Sequence, residues 1–488
     1  MLLKGGLYLA LLQSKQRGNW GYILMFDFFL ALTASLLIFS LSALLLWRPL
    51  LNFFIDRFIK ILIKDPYPEN LFEMYNVVSK VGIQNLIEGD IRGSSGRILR
   101  RPFGTGKRPS DWDQLTLNTV YFVRKPVVES VDIDTKVTIG PKAKRPLEIK
   151  MPIMIAGMGY GWGLSLPAKV ALAKAADLVM TAANTGSGPF LPEERKHTKR
   201  LIIQYNRGNW GKEEEVLRQA DAIEIQLGYG AYGSAPVLHK YEEFSPEFRD
   251  YMKLQPGQDL LEEAMLPGVE DLTSLKELVS YLRRVTNGAP IGVKMAATNL
   301  LEEELAVITE ANIDFLSIVG AEGGIAYGPG ITADDCGLPT LPAICRAAKF
   351  LKARGLTEYI SLIVSGGLYN PGQVLKALVL GADAVAFGTI LVMVMAHTQN
   401  TKVLPWEPPT ELLYETGKLR NSFSVDQGAQ SVANFLKSCH AEIKLGMRNL
   451  GLTSLQELSL ADIAALTPEM AQLSGAELAF YPPQGMGG

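Results

Sequence analysis

The sequence predicts an α/β protein: a TIM (β/α)8 barrel with an N-terminal transmembrane helix and a C-terminal helical extension. Three observations carry this expectation. Between residue 151 and about residue 395, eight short apolar runs recur, each followed by a glycine-rich or polar turn and then a helical pattern. Polar and glycine residues gather at the C-terminal end of nearly every run, the end at which such barrels carry their active sites. Near the N-terminus, the 20 residues Phe28–Trp47 contain no charge.

At about 1.5 Å per residue, that uncharged run spans about 30 Å, the thickness of a bilayer's hydrocarbon core. It is longer than the apolar core of a cleaved signal, and it exits through Leu46-Trp47-Arg48 rather than a small-residue cleavage site. A membrane anchor is therefore expected within residues 25–65, after a tail of residues 1–24; a buried core helix is the alternative. Arg48, Arg57, Lys60 and Lys64 follow the span, and Lys4, Lys15 and Arg17 precede it. This small bias predicts a single-pass cell-membrane protein with its catalytic bulk in the cytoplasm. Residues 49–65 (PLLNFFIDRFIKILIKD) fit either a helix lying at the membrane surface or one packed on the soluble part. Residues 66–150 are turn-rich and are read as an extension packing on the barrel.

The barrel is assigned to residues 151–400. Its runs are MPIMIAGM (151–158), ADLVMTAAN (176–184), RLIIQYN (200–206), AIEIQLG (222–228), PIGVKMAA (290–297), DFLSIVG (314–320), ISLIVSGG (360–367) and DAVAFGT (383–389). All are apolar throughout, as strands covered on both faces are, and eight of them favour a closed parallel barrel over an open sheet. The insertion of about 60 residues between Gly228 and Pro290 is long for such a connection, and segments of that kind often form lids or binding loops. Residues 401–488 read as helical, with threonine caps in LTSLQEL and LTPEMAQL, and as an appendage without chemistry of its own.

Composition narrows the function. The 48 Lys+Arg and 50 Asp+Glu give a net charge of −2, unlike the basic footprint of a nucleic-acid protein. Cys336, Cys345 and Cys439 form no disulfide framework, no CxxC pair for zinc and no iron–sulfur run. The four histidines form no HxxxH pair, so no metal site is expected.

Ser365-Gly366-Gly367 ends the seventh run and Gly388-Thr389 the eighth. Loops at those two places commonly bind phosphate through backbone N–H groups and a helix N-terminus. Lys294 is the single charge within PIGVKMAA. A lysine on a buried strand either meets an anion, such as a cofactor or substrate, or snorkels out at the strand end. Gln204 could hydrogen-bond a flat heterocycle. Asn184 precedes TGSG. Glu224 and Gln226 lie two apart on the fourth run, on one face that should point inward, where a carboxylate needs a partner. Glu322 lies beyond the sixth run. Each of these polar residues fits a structural polar layer equally well. GMGYGWG (157–163) is GxGxG rather than GxGxxG and lacks the acidic residue of a dinucleotide site; it reads as a loop that lets a ring system approach the backbone.

From about Gln114 to Tyr481 these motifs together resemble the flavin domain of glutamate synthase, and more closely the stand-alone, membrane-anchored FMN-binding glutamate synthase family. The motifs are GMGYGWGLS, NTGSG, QYNRGNWG, IEIQLGYGA and VGAEGGIAYGP. The resemblance implies one FMN. Gly157, Met158 and Gly159 would face its ring, Gln204 its pyrimidine edge and Lys294 its N1/C2 region, with Asn184 also in the site. Gly323, Gly324, Ser365, Gly366, Gly367, Gly388 and Thr389 would hold its phosphate. A cation near N1 would favour the reduced cofactor. The implied reaction is reduction of 2-iminoglutarate, formed from 2-oxoglutarate and ammonia, to L-glutamate, with Lys294, Gln204, Glu224, Gln226 and Arg207 as the catalytic set.

Departures from the family pattern accompany the match. Ser187 stands where the family has an acid, Asn209 where it has an arginine, and Gln226 and Tyr232 where it has lysines. Arg207 or the basic loop EERKHTKR (193–200) could supply the cations that a dicarboxylate requires. MAHTQNTK (395–402) occupies the place of the cluster cysteines, so no iron–sulfur cluster is expected. Ammonia and electrons would then come free or from a separate subunit. Two other readings stay open: an FMN barrel for another substrate, such as a 2-hydroxy acid or an isoprenoid diphosphate, and a tethered flavoprotein serving as an electron-transfer subunit.

Overall fold

The computed structural model describes residues 20–64, 73–324, 326, 328–403 and 406–480. Most of the expected tail, with Lys4, Lys15 and Arg17, lies outside these residues. So do Ile325 and Tyr327 of the glycine-rich motif. The chain divides into two compact units, residues 1–97 and 98–488.

In the first unit one helix runs Trp20–Lys64, continuous through Pro49. The sequence reading divided this stretch into a span and a surface segment; the structure joins them, and the missing N–H of Pro49 does not end the helix. Within it, Met25–Lys60 is long and apolar enough to cross a membrane, and its apolar side chains are exposed. Shorter helices, Glu73–Val81 and Ile83–Ser95, follow.

The second unit is built on eight parallel strands: β1 (Ile153–Ile155), β2 (Ala183–Asn184), β3 (Leu201–Tyr205), β4 (Ala222–Gln226), β5 (Ile291–Ala296), β6 (Phe315–Val319), β7 (Ser361–Ser365) and β8 (Ala384–Phe387). The ladder runs β1-β8-β7-β6-β5-β4-β3-β2. Ile155 N–H donates to Ala182 O at 3.0 Å, which brings β1 against the start of β2 and nearly closes the barrel. β2 is shorter than its run. Ala176–Val179 belong instead to the helix Leu166–Val179, which Ser165 caps and Met180, at φ 55°, terminates. The alanine-rich stretch favours helix, and only the residues beyond Met180 extend into the sheet.

Alternation along the strands separates two cores. Ile153, Ile155, Leu201, Ile203, Ile223 and Ile225 face the surrounding helices. Met154, Ala182, Ile202, Ala222, Phe315, Ile363 and Ala384 fill the barrel interior. A hairpin of Val137–Ile139 and Leu147–Ile149 joins this inner cluster and closes its N-terminal end. Gly140 N–H donates there to Ser361 Oγ at 3.1 Å. Gly292 is required because a Cβ on it would lie 2.3 Å from the Phe315 ring. That ring makes the apolar floor beneath the strands' C-terminal ends.

The last segment is only partly helical. The long helix Val425–Leu450 packs on Leu166–Val179, and Thr467 caps the helix Pro468–Ser474. LTSLQEL, however, forms a short 3-10 turn, Leu455–Glu457. Ile463–Ala465 is a strand, paired with Leu115–Leu117 and Glu477–Leu478. The insertion contributes a ribbon of Val237–His239 against Leu260–Glu262 and the short helix Pro246–Tyr251.

Candidate active site

A cavity of about 520 Å³ opens at the C-terminal ends of the strands. Its inner half is made by the barrel. Above the Phe315 floor, Asn184, Gln204, Glu224, Lys294 and Ser317 form a buried polar layer. Glu224 is its centre. Its Oε1 accepts from Asn184 Nδ2 at 3.0 Å and lies 3.5 Å from Lys294 Nζ; its Oε2 accepts from Ser317 Oγ at 2.8 Å. With its oxygen toward Lys294 (3.4 Å), the Gln204 amide would also turn that oxygen on Glu224. Turned over, its nitrogen donates to Glu224 Oε1 at 3.1 Å and its oxygen accepts from Ser187 N–H at 3.2 Å, which is what the neighbours require. Behind β2, the fully buried Lys169 donates to Asn184 O (3.0 Å) and Thr185 O (3.2 Å) and pairs with Glu194 at 2.9 Å, fixing that loop.

Lys294 reaches the cavity wall, so its remaining N–H donors are available to a ligand there. On the same wall lie Gly157, Met158 and Gly159 after β1, Gly323 and Gly324 after β6, Ser365, Gly366 and Gly367 after β7, and Gly388 and Thr389 after β8. Gly366 and Gly367 have φ of 105° and 65°. Their N–H groups have no protein acceptor among the described residues. The helix Thr389–Ala396 starts beside them without a side-chain cap, leaving first-turn donors unspent. Glu322 accepts from Thr340 N–H (2.9 Å) and Oγ1–H (2.8 Å), while its buried Oε1 has no partner among the described residues. Unspent donors and one spare acceptor around a concave wall fit a phosphorylated, polyhydroxylated ligand such as FMN.

The outer half of the cavity comes mainly from the insertion, and most of it was not foreseen. Tyr229, Val237, His239, Glu243, Phe244 and Glu262 line it, with Arg100, Phe103 and Trp162. Trp162 stacks on His239 with ring centroids 4.3 Å apart and planes at 17°. Tyr229 O–H donates to Glu262 Oε2, and His239 Nε2 lies 3.4 Å from Glu262 Oε1. Burial, followed by the adjacent Glu262 charge, pushes the Tyr229 phenol well above its ordinary value, so it stays a neutral donor. Tyr414 and Thr416 also face the cavity, so the C-terminal segment contributes to the site it was expected to stand apart from.

Several candidates sit elsewhere. Arg207 is fully buried, with its guanidinium donating to the carbonyls of Ser234 (2.6 Å), Ala264 (3.2 Å) and Ala235 (3.2 Å), so it anchors the insertion and is absent from the cavity wall. Gln226 is likewise fully buried and off the wall; Asn184, Gln204 and Glu224 are buried and off it too, and reach the cavity only through their contacts with Lys294 and Ser187. No residue of the loop 193–200 lines the cavity either: Arg195 pairs with Asp221, and Arg200 Nε donates to Glu148 O at 2.7 Å. Neither substitute for the missing cations therefore reaches the site. Of the overlooked residues, Trp162 and Tyr229 stood inside glycine-rich motifs. Glu262, in an ordinary ribbon strand, left no signal.

A parallel barrel whose mouth carries a buried lysine, a run of glycine loops and an aromatic outer wall has the makings of a cofactor-binding enzyme site. The pattern of the conserved region in glutamate synthase matches residues 111–453. The chain is 30% identical over 418 residues to the glutamate synthase large subunit-like protein of Rhizobium meliloti, covering 81% of this chain and 92% of that one. It is 30% identical over 332 residues to the archaeal-type glutamate synthase [NADPH] of Thermotoga neapolitana, covering 67% of this chain and 64% of that protein. A lactate oxidase of Pediococcus acidilactici matches with a TM-score of 0.44 and 14% identity, over 71% of this chain and 82% of that one. The chain belongs to the glutamate synthase family.

Proposed function

We propose that the protein is an FMN-dependent oxidoreductase that reduces 2-iminoglutarate to L-glutamate at the barrel mouth. The observation that carries this reading is Lys294: a buried ammonium on β5, paired with Glu224 and lining one cavity together with a glycine cradle. FMN, when bound, supplies the hydride. Gly366, Gly367 and the start of the helix Thr389–Ala396 would hold its phosphate, and the loop of Gly157, Met158 and Gly159 would face its ring. Lys294 holds positive charge where the reduced ring is negative, and Glu224 holds Lys294 in place. The helix Trp20–Lys64 tethers the protein to the membrane with the barrel on the cytoplasmic side. Electrons and ammonia come from outside the chain, through a separate donor subunit or free in solution.

To test this, the full-length protein is purified in detergent, reduced anaerobically and mixed with 2-oxoglutarate and ammonium chloride. Reoxidation with formation of glutamate is expected. Bound flavin that stays reduced would remove 2-oxoglutarate as the carbon substrate and leave the cofactor assignment standing.

A second reading keeps the cofactor and changes the carbon substrate. It is favoured by the scarcity of free cations on the wall: Lys294 is paired with Glu224, and Arg100 lies 3.8 Å from Glu243. A dicarboxylate would have to compete for both. A substrate screen under the same anaerobic conditions separates the two readings.

A further inference from the structure

Glu262 is the anomaly of the outer wall. Its carboxylate is almost wholly buried, yet it lines the cavity. Its two recorded partners, the Tyr229 hydroxyl and the His239 ring, are donors that carry no fixed charge. Among the described residues no lysine or arginine pairs with it. Arg207, whose guanidinium carbon lies 5.6 Å from the centre of the Tyr229 ring, turns its two terminal nitrogens to three backbone carbonyls and forms no ion pair with Glu262. A carboxylate taken out of water without a cation is costly unless a ligand supplies one.

The surroundings specify that ligand. Trp162, Tyr229, His239 and Phe244 all line the cavity, with Tyr229 and His239 in contact with Glu262 itself. Trp162 lies parallel to His239, and Phe244 closes the edge with its centroid 6.4 Å from Trp162. Aromatic faces around a carboxylate favour a small organic or ammonium cation, which gains from both ring quadrupole and charge. They offer little to a carboxylate or a phosphate. Ser187 ties this wall to the polar layer. Its Oγ accepts from Trp162 Nε1 at 3.3 Å, its carbonyl from Trp210 Nε1 at 2.7 Å, and its N–H meets the Gln204 amide.

We infer that the Glu262 recess is a seat for an ammonium group, either the free ammonium ion or the protonated primary amine of a substrate. It would deliver nitrogen to the same cavity that Lys294 faces. The inference rests on the proposed C–N chemistry for its purpose but not for its test, because binding is measured on the oxidised protein without turnover.

The experiment titrates ammonium chloride into the detergent-solubilised full-length protein and reads tryptophan fluorescence, since Trp162 lies against the seat. Potassium chloride and methylammonium chloride are run in parallel. A saturable change with ammonium, absent with potassium, is expected. In Glu262→Gln it should be about ten- to a hundredfold weaker, as the loss of a charge-assisted hydrogen bond implies. Saturation by methylammonium as well supports a seat for a substituted amine, and saturation by ammonium alone supports one for the free ion. An equal response to potassium, no saturable response to either nitrogen cation, or unchanged affinity in Glu262→Gln overturns the proposal. If Glu262→Gln does not fold, Glu262→Asp, which keeps the charge and withdraws it by one methylene, should weaken binding severalfold, and unchanged affinity there overturns it equally. Failure of the glutamate assay with ammonium still binding would count against the carbon substrate only.

Discussion

The inner and outer halves of the cavity are built by different means. The inner half stands on strands: Lys294 on β5 faces the cavity, and Asn184, Gln204, Glu224 and Ser317 on β2, β3, β4 and β6 form the buried layer that supports it, at heights set by the barrel register, over the Phe315 floor. Its charges are paired and its position is fixed by the ladder. The outer half stands on an insertion held by one buried arginine, with its carboxylate against a tyrosine hydroxyl and a histidine ring and its surface aromatic. Rigid strands suit a function that must place a ring system within a fraction of an ångström, whereas an inserted ribbon can change its side chains without disturbing the barrel. The half assigned to the proposed cofactor is therefore the constrained one, and the half left for a proposed substrate is the adaptable one.

Breaking the inner half should have the largest effect. Lys294→Met leaves Glu224 buried without its cation, at a cost of about 3–5 kcal/mol. It should also weaken flavin retention, and turnover of the flavin-loaded variant should fall on the order of 10²–10³-fold. Adding Glu224→Gln to it should restore much of the stability in denaturant unfolding but not the flavin retention. If Lys294→Met kept both colour and turnover, Lys294 would leave the site.

The floor comes next. Phe315→Ala opens a hole against Gly292 and should lower stability by about 3–5 kcal/mol, with a loss of flavin that follows unfolding rather than preceding it. Flavin released from a protein of unchanged stability would separate the floor from the fold.

On the outer half, Tyr229→Phe removes a donor to Glu262 and should cost about 1–3 kcal/mol. The flavin spectrum should stay intact while saturation by the nitrogen substrate changes. A bleached protein would mean that the two halves are not separable.

The smallest effect lies away from both. His440, on the long helix, sits 2.6 Å from Thr135 Oγ1, and burial pushes its imidazole down from 6.5 to about 4. Between those values the unfolded chain takes up a proton that the folded one refuses. This contribution to stability is therefore complete above pH 6.5 and is lost progressively as pH falls toward 4. Thermal midpoints followed across that window should fall, and His440→Gln should flatten the slope; an unaltered slope would exclude His440 as its source.

Legibility followed the same division. Lys294, Glu224, Ser365-Gly366-Gly367 and Gly388-Thr389 could be singled out because each broke an apolar run or ended one, and strand periodicity then fixed which way Glu224 pointed. Arg207 misled because a charged residue after a strand reads the same whether it meets a ligand or three carbonyls. LTSLQEL misled because a threonine before apolar residues marks a helix only when the following turns find something to pack on.

By itself the sequence determined the barrel, its strand order, the place of the glycine cradle and the apolar N-terminal helix, because periodicity and turn chemistry are local and repeat along the chain. Only the tertiary structure decided that a tryptophan after β1, a tyrosine after β4 and a histidine and a glutamate on two strands of an insertion share one wall. Their contact depends on how a ribbon folds back across the barrel mouth, and no local pattern encodes that approach.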